Sequence, residues 1–274
     1  MTSRHTAPMV LVTRSGKATH MPGIDLNSDL GEGYGPWAMG ADAAMLDLVT
    51  SANVACGGHA GDPDTMRATL ALAAARGVSV GAHPGYADPM GFGRRVIPME
   101  PAAIANMVAA QTGALIGVAA LAGVRVGYVK PHGALANLAA DRRDVAEAIV
   151  AAVAAQPGRL AVLAISGTEL EQAARAAGIP VFSEIFADRA YLPTGRLVPR
   201  SRPDAMIHDP EAAADRLLTF LDSGMMPVVG GPPIALTAHS VCIHGDSPEA
   251  VAMARLLRDR LTAQGITLAP FIGG

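Results

Sequence analysis

Cysteine is scarce in this chain of 274 residues: Cys56 and Cys242 are the two present, far apart and outside any C-x-x-C pair. That excludes a disulfide framework and a cysteine-rich zinc site, and it fits a reducing cytoplasm. Charge is scarce too, at 16% of residues, with 21 Lys and Arg against 24 Asp and Glu and a net charge of −3. No overall positive field exists to hold a nucleic-acid backbone. The phosphate-binding signatures are missing as well. Gly16-Lys17 runs into Ala18 without the upstream glycine of a P-loop, and Gly31, Gly33 and Gly35 miss the dinucleotide fingerprint. No H-E-x-x-H or H-x-x-x-H spacing marks a zinc site among the histidines. No repeat and no low-complexity linker divides the chain. At 50% hydrophobic, it is too apolar for disorder and reads as a single domain.

One uncharged run, residues 101 to 124, has the length of a membrane span. Ile104, Met107, Val108, Leu115 and Val118 recur at helical spacing, while Asn106, Gln111, Thr112, Gly113 and Gly117 interrupt the hydrophobicity. The pattern reads as an Ala-rich helix packed against a sheet. A second uncharged run, Gly224 to Ile243, is broken by Gly230, Gly231, Pro232 and Pro233 and reads as a loop joined to a strand. Met1 to Gly23 has no apolar run long enough for a secretory signal and reads as a loose extension, with Met21 as an alternative start.

From Gly23 onward, short apolar runs alternate with helix-compatible stretches, which predicts βα units. The strands are expected at 24–27, 52–56, 78–82, 126–130, 160–165, 181–185 and 241–244, with a further short one at 227–229. Helices are expected at 63–76, 101–122, 142–155, 168–177, 210–223 and 248–264. Asp62-Pro63, Asp209-Pro210 and Ser247-Pro248 offer caps followed by first-turn prolines. Seven or eight strands predict one α/β barrel over residues 24–274. Ala187 to Ile207, with four prolines or glycines and four arginines, is expected as a long functional surface loop.

Parallel barrels form their active sites at the C-terminal strand ends, and polar residues gather there at strand after strand. Asp25 and Asn27 lie inside the first strand, where unpaired polar groups are costly, and Asp29 and Glu32 are placed on the turn that follows. Convergence of these carboxylates suits a hard cation or a general base; a helix cap and turn is the plainer alternative. The second strand runs into Asn53, Cys56 and His59, with Cys56 read as a buried structural thiol and His59 as acid, base or ligand. Ala82-His83-Pro-Gly85 and Lys130-Pro-His132-Gly133 each set a histidine after an apolar strand, and with His59 and His244 they predict a polar pocket. Lys130 requires a carboxylate or an anionic substrate there. Gly91-Phe-Gly-Arg94-Arg95 suits a phosphate or carboxylate, or is simply a solvated loop. Glu184, Asp188 and Arg189 follow the sixth strand, and His244 and Asp246 the last.

Six segments in order carry a resemblance. They are Asp25-Leu-Asn-Ser-Asp-Leu-Gly-Glu32, Ser51 to Asp62, Gly81 to Tyr86 with Gly91 to Arg95, Lys130 to Ala134, Glu184 to Tyr191 and Cys242 to Asp246. Together they resemble the LamB/YcsF family, from about Ile24 to the C-terminus. The resemblance implies a modified TIM-like (β/α)7–8 barrel related to polysaccharide-deacetylase barrels. It implies the first component of an ATP-dependent 5-oxoprolinase, which opens 5-oxo-L-proline to L-glutamate with two further subunits, B and C, and ATP with Mg²⁺ as co-substrate. On that reading Asp25, Asp29, Glu32, His59, His83, Lys130 and His132 form the catalytic set. Asn27, Asn53, Arg94, Glu184, Arg189 and His244 would bind substrate. Departures are few: Ser28 stands where cysteine is common, Gly58 where an aromatic is common, and Ala136 where tyrosine is usual. Two other readings share the pocket, a stand-alone metal-dependent deacetylase or amidohydrolase and a non-catalytic 5-oxoproline-binding subunit.

Overall fold

The computed structural model describes residues 23–245 and 249–273. Asp246, Ser247 and Pro248, and the expected extension up to residue 22, lie outside the described residues. Seven parallel strands close a barrel: β1 (Asp25–Leu30), β2 (Ser51–Ala55), β3 (Ser79–His83), β4 (Val126–Val129), β5 (Ala161–Ile165), β6 (Val181–Phe186) and β9 (Ser240–Cys242). In the ring β9 pairs with both β6 and β1, in register Asp25↔Ser240 and Glu184↔Ser240. The helices are α1 (Asp42–Leu46), α2 (Pro63–Arg76), α3 (Pro101–Leu121), α4 (Gly133–Asp141), α5 (Arg143–Ala154), α6 (Glu169–Ala176), α7 (Pro210–Ser223) and α8 (Ala250–Ala263). Two short strands, β7 (Met225–Met226) and β8 (Ile234–Ala235), form an antiparallel pair outside the barrel.

Two of the three expected caps act as the sequence predicts, and the third, Ser247-Pro248, lies outside the described residues. Asp62 accepts hydrogen bonds from the Asp64 and Thr65 amides, Pro63 opens α2, and Gly77 closes it at φ 66°. Asp209 caps α7 in the same way through the Glu211 amide. The long uncharged run forms α3, a helix long and apolar enough to cross a membrane by length and composition. Ile104, Val108, Leu115 and Ala119 make its buried stripe against the main core.

Strand parity decides what the barrel encloses, because successive side chains point to opposite faces. On β1, Leu26 and Leu30 join the apolar core between barrel and helices, while Asp25, Asn27 and Asp29 point to the interior. Ala52 and Val54 face that outer core, whereas Ser51 and Asn53 face inward. The lower interior is sealed by Tyr128, Ala161, Leu163 and Phe271, with the Tyr128 and Phe271 rings 4.8 Å apart. The barrel thus holds an apolar plug below a polar upper half.

Several expected boundaries are corrected. β1 extends to Leu30, so Asp29 belongs to the strand and not to the turn after it. The stretch 227–229 is not a barrel strand; the prolines and glycines that follow it break any ladder, and β6 pairs directly with β9. The expected helix at 142–155 is preceded by a separate one, α4, with Arg142 extended between them. The segment Ala187 to Ile207 is more than a surface loop. Arg189 bridges Met206, Tyr191 bridges Leu197, and Ala190, Val198 and Ala205 form a small core of their own.

Candidate active site

The interior polar residues form one connected network. Asp29 Oδ1 accepts from Asn53 Nδ2 at 2.8 Å and from Lys130 Nζ at 3.0 Å. Lys130 Nζ also lies 2.8 Å from Glu184 Oε1, 3.2 Å from Asn27 Oδ1 and 3.1 Å from Cys242 Sγ. Behind them, Asn53 donates to Asn27 Oδ1 and accepts from the Tyr128 hydroxyl at 2.8 Å. Burial raises the Asp29 carboxyl, but His83 and Lys130 outweigh it and hold that carboxyl well below the usual range. The same partners keep Lys130 charged: burial disfavours its ammonium, and Asp29, Cys242 and Glu184 together push its pKa well above normal. Glu184 goes the other way, because burial outweighs Lys130 and raises its carboxyl.

Beside this network sit three imidazoles. His83 Nδ1 contacts the Lys130 carbonyl at 2.7 Å, and its Nε2 lies 2.9 Å from His132 Nδ1 and 3.3 Å from Asp29 Oδ2. His132 Nε2 contacts the Phe92 carbonyl at 2.9 Å. His59 stacks on His132 with ring centroids 3.6 Å apart, and its Nε2 meets Glu32 Oε1 at 2.9 Å. Burial, followed by the neighbouring imidazoles, holds His59 and His132 well below the ordinary histidine pKa, so both rings are neutral near pH 7. Donor atoms of Glu32, His59, His83 and His132 all fall within 4.8 Å of one another; Asp29, Cys242 and His244 make a second such group. The Lys130 ammonium already touches Asp29 and Cys242 of that second group.

A cavity of about 740 Å³ opens above these residues. Asp29, His83, Lys130, His132 and Glu184 line its base, and Arg94, Arg189, Arg196, Arg200 and His244 line its walls. His244 Nδ1 is 2.7 Å from Asp188 Oδ2, and Arg200 Nη2 is 3.0 Å from His244 Nε2. Arg189 is buried, donates to the Val198 carbonyl at 2.8 Å, and is lowered to about 10 by its burial. The folded segment after β6 therefore supplies one cationic wall, and Arg94, stacked 4.9 Å over the Phe92 ring, supplies another. The chemistry of such a lining suits a small anionic molecule.

Most residues singled out in the sequence meet here, but the expected convergence of three carboxylates does not occur. Asp25 accepts from Thr50 and Ser51, each at 2.6 Å, and from Ser240, and does not line the cavity. Burial pushes its carboxyl up to about 6. Asp29 is engaged by Lys130 and Glu32 by His59, so no hard-cation cage forms among them. Asn27 and Asn53 also stay below the cavity and act by fixing Asp29 and Lys130. Cys56 is structural: its thiol donates to the Val54 carbonyl, accepts from the His83 amide, and is pushed up to about 12 by burial. The arginine pair divides, with Arg95 bound to Asp88 and Arg94 lining the cavity. Sequence reasoning misses Tyr128. Its place two residues before Lys130, hence on the same strand face, is the signal that finds it.

The family model described as "LamB/YcsF family" matches residues 24–273. A protein from Nocardia farcinica, named as the A component of 5-oxoprolinase, is 55% identical over 249 residues, covering 91% of this chain and 99% of that one. Another of the same name from Rhodopseudomonas palustris is 52% identical over 255 residues, covering 93% and 100%. Among solved structures, a lactam utilization protein from Thermus thermophilus superposes with a TM-score of 0.85 at 42% identity, covering 90% and 99%.

Proposed function

We propose the following for this chain, which belongs to the LamB/YcsF family: it is the A component of a 5-oxoprolinase and opens the lactam of 5-oxo-L-proline to L-glutamate. The observation that carries the reading is the cavity, whose base holds Lys130 between Asp29 and Glu184 and whose walls present Arg94, Arg189 and Arg200. The guanidinium groups match the carboxylate of 5-oxoproline. Ring opening breaks the C–N bond; a water oxygen bonds to the carbonyl carbon, and the ring nitrogen gains a proton. Asp29, held ionised at the cavity base, takes the proton from the attacking water. Lys130 stabilises the oxyanion as it develops. Glu184, whose raised carboxyl retains a proton more readily, delivers one to the departing nitrogen.

ATP with Mg²⁺ is proposed as co-substrate, shared with the B and C subunits; when bound, it would transfer its γ-phosphoryl group to the amide oxygen with release of ADP, and after the ring opens a second water would release inorganic phosphate. The imidazole cluster is a poor Mg²⁺ site, and the carboxylates here are already engaged, so the Mg²⁺ is carried by the nucleotide phosphates. The test is glutamate release from 5-oxoproline with ATP and Mg²⁺, for the chain alone and with the B and C subunits. Glutamate formed only in the mixture supports the reading. Turnover of another amide by the chain alone, without ATP, replaces it with a stand-alone amidohydrolase. Turnover in the mixture that is indifferent to Asp29→Asn makes this chain a binding component.

A further inference from the structure

We infer that His83, His132 and Glu32 form a site for one transition-metal dication of the zinc type, with His59 as a positioning residue on Glu32. The inference stands on geometry alone and goes beyond the lactam reading.

Two backbone carbonyls set the tautomers. Lys130 O accepts the Nδ1 proton of His83 at 2.7 Å, and Phe92 O accepts the Nε2 proton of His132 at 2.9 Å. With those two protons placed, the remaining nitrogens, His83 Nε2 and His132 Nδ1, face each other 2.9 Å apart. Two ring nitrogens at that distance are bridged by an electrophile, either a proton or a metal ion. A proton answers one gap between two atoms. A third donor converges on the same point, because Glu32 Oε1 lies 3.5 Å from His132 Nδ1, and the donor atoms of the group all lie within 4.8 Å of one another.

The spacing suits a small dication. Tetrahedral zinc with bonds of about 2.0–2.1 Å sets its donors roughly 3.3 Å apart, and the separations of 2.9 and 3.5 Å bracket that value. Two imidazoles and one carboxylate select zinc-like ions over Mg²⁺ or Ca²⁺. The carbonyl partners of both imidazoles are the outer-shell acceptors that orient metal-bound histidines. His59 plays a different part. Its ring lies parallel to His132 at 3.6 Å, which keeps it from aiming at the same point, while its Nε2 donates to Glu32 Oε1 at 2.9 Å and fixes that carboxylate. Three protein ligands leave a fourth position, and His83 and His132 both line the cavity.

The test reads metal and not turnover. Full-length protein is stripped with a chelator and titrated with Co²⁺, then with Zn²⁺. The expected result is one equivalent of Co²⁺ with visible ligand-field absorption, displaced by one equivalent of Zn²⁺. Glu32→Gln, nearly isosteric, and His132→Ala abolish that absorption. His59→Phe keeps the ring but removes the donor, so it retains the stoichiometry and weakens affinity by about 10–100-fold. If His132→Ala does not fold by circular dichroism, Glu32→Gln alone decides. Failure of the folded wild type to bind Co²⁺ or Zn²⁺ stoichiometrically, binding of Mg²⁺ alone, or an unchanged Co²⁺ spectrum in Glu32→Gln overturns the inference. A chain that binds Co²⁺ as expected but never opens the lactam keeps this site and rejects the proposed function.

Discussion

Replacing Lys130 with methionine tests the central network most sharply. Lys130 is 4% exposed, and its ammonium sits between Asp29, 8% exposed, and Glu184, 1% exposed. Lys130→Met keeps most of the stem volume but leaves two buried carboxylates without their cation. Removing one partner of a buried ion pair costs about 3–5 kcal/mol, which in a domain of this size is a melting-point drop of about 10 °C. The loss depends on pH. In the wild type, the depressed Asp29 contributes stability that is present above the unfolded carboxylate value and is lost as pH falls through its lower folded value. In the variant, both carboxyls rise above the unfolded value, so their contribution is present at acid pH and is lost as pH climbs through the raised folded values. The difference between the two proteins therefore grows from pH 5 to pH 8. Urea denaturation followed by circular dichroism at both pH values measures it. A deficit under about 1 kcal/mol at pH 8, the range of an exposed pair, or an equal deficit at both pH values, would refute the buried-network account.

Other expectations follow from the same geometry. A Cβ on Gly81 would stand 2.2 Å from the Tyr128 ring, which is fully buried and cannot move aside. Gly81→Ala should therefore cost about 1–3 kcal/mol by overpacking, read as a lower urea midpoint. Asp25, raised to about 6, gives stability that is fully present below its unfolded value and lost as pH rises through about 6. Asp25→Asn removes that titration, so stability curves at pH 4.5 and 7.5 should lie closer together than in the wild type, with turnover retained; loss of turnover would return Asp25 to the mechanism. Cys56→Ala should retain turnover, and native Cys56 should resist iodoacetamide at pH 8, because its thiol is buried and pushed up to about 12. Alkylation at the rate of a free thiol would reopen the nucleophile reading.

Much of the architecture is legible because strand burial leaves a direct trace in sequence. The short runs around Ala52–Ala55, Val80–Ala82 and Ala161–Ile165 are apolar on the outward face whatever else happens, and Asp62-Pro63 and Asp209-Pro210 announce helix starts by local hydrogen bonding alone. The failures share a cause. Local polarity at Ser28-Asp29 sets Asp29 beyond β1, yet the polar barrel interior extends the ladder to Leu30. The four glycine or proline positions between 193 and 203 suggest a loose loop, yet Tyr191 anchors that segment by accepting from the Phe186 amide. Both outcomes depend on neighbours distant in the chain.

The sequence by itself determined the alternation of βα units, the parity that sets Asp25, Asn27 and Asp29 on one face, and the run of histidines and Lys130 at strand ends, because each is local backbone geometry. Only the tertiary structure decided which group meets which. Asp25 and Asp29 share a face of β1, four residues apart; closure of the ring through β9 and β2 gives the first to Ser240, Ser51 and Thr50, while β3 and β4 give the second to His83 and Lys130. Burial raises the first carboxyl against its hydroxyl donors, and a buried ammonium with an imidazole lowers the second. The difference comes from the field of partners brought across the barrel, and strand pairing sets that field.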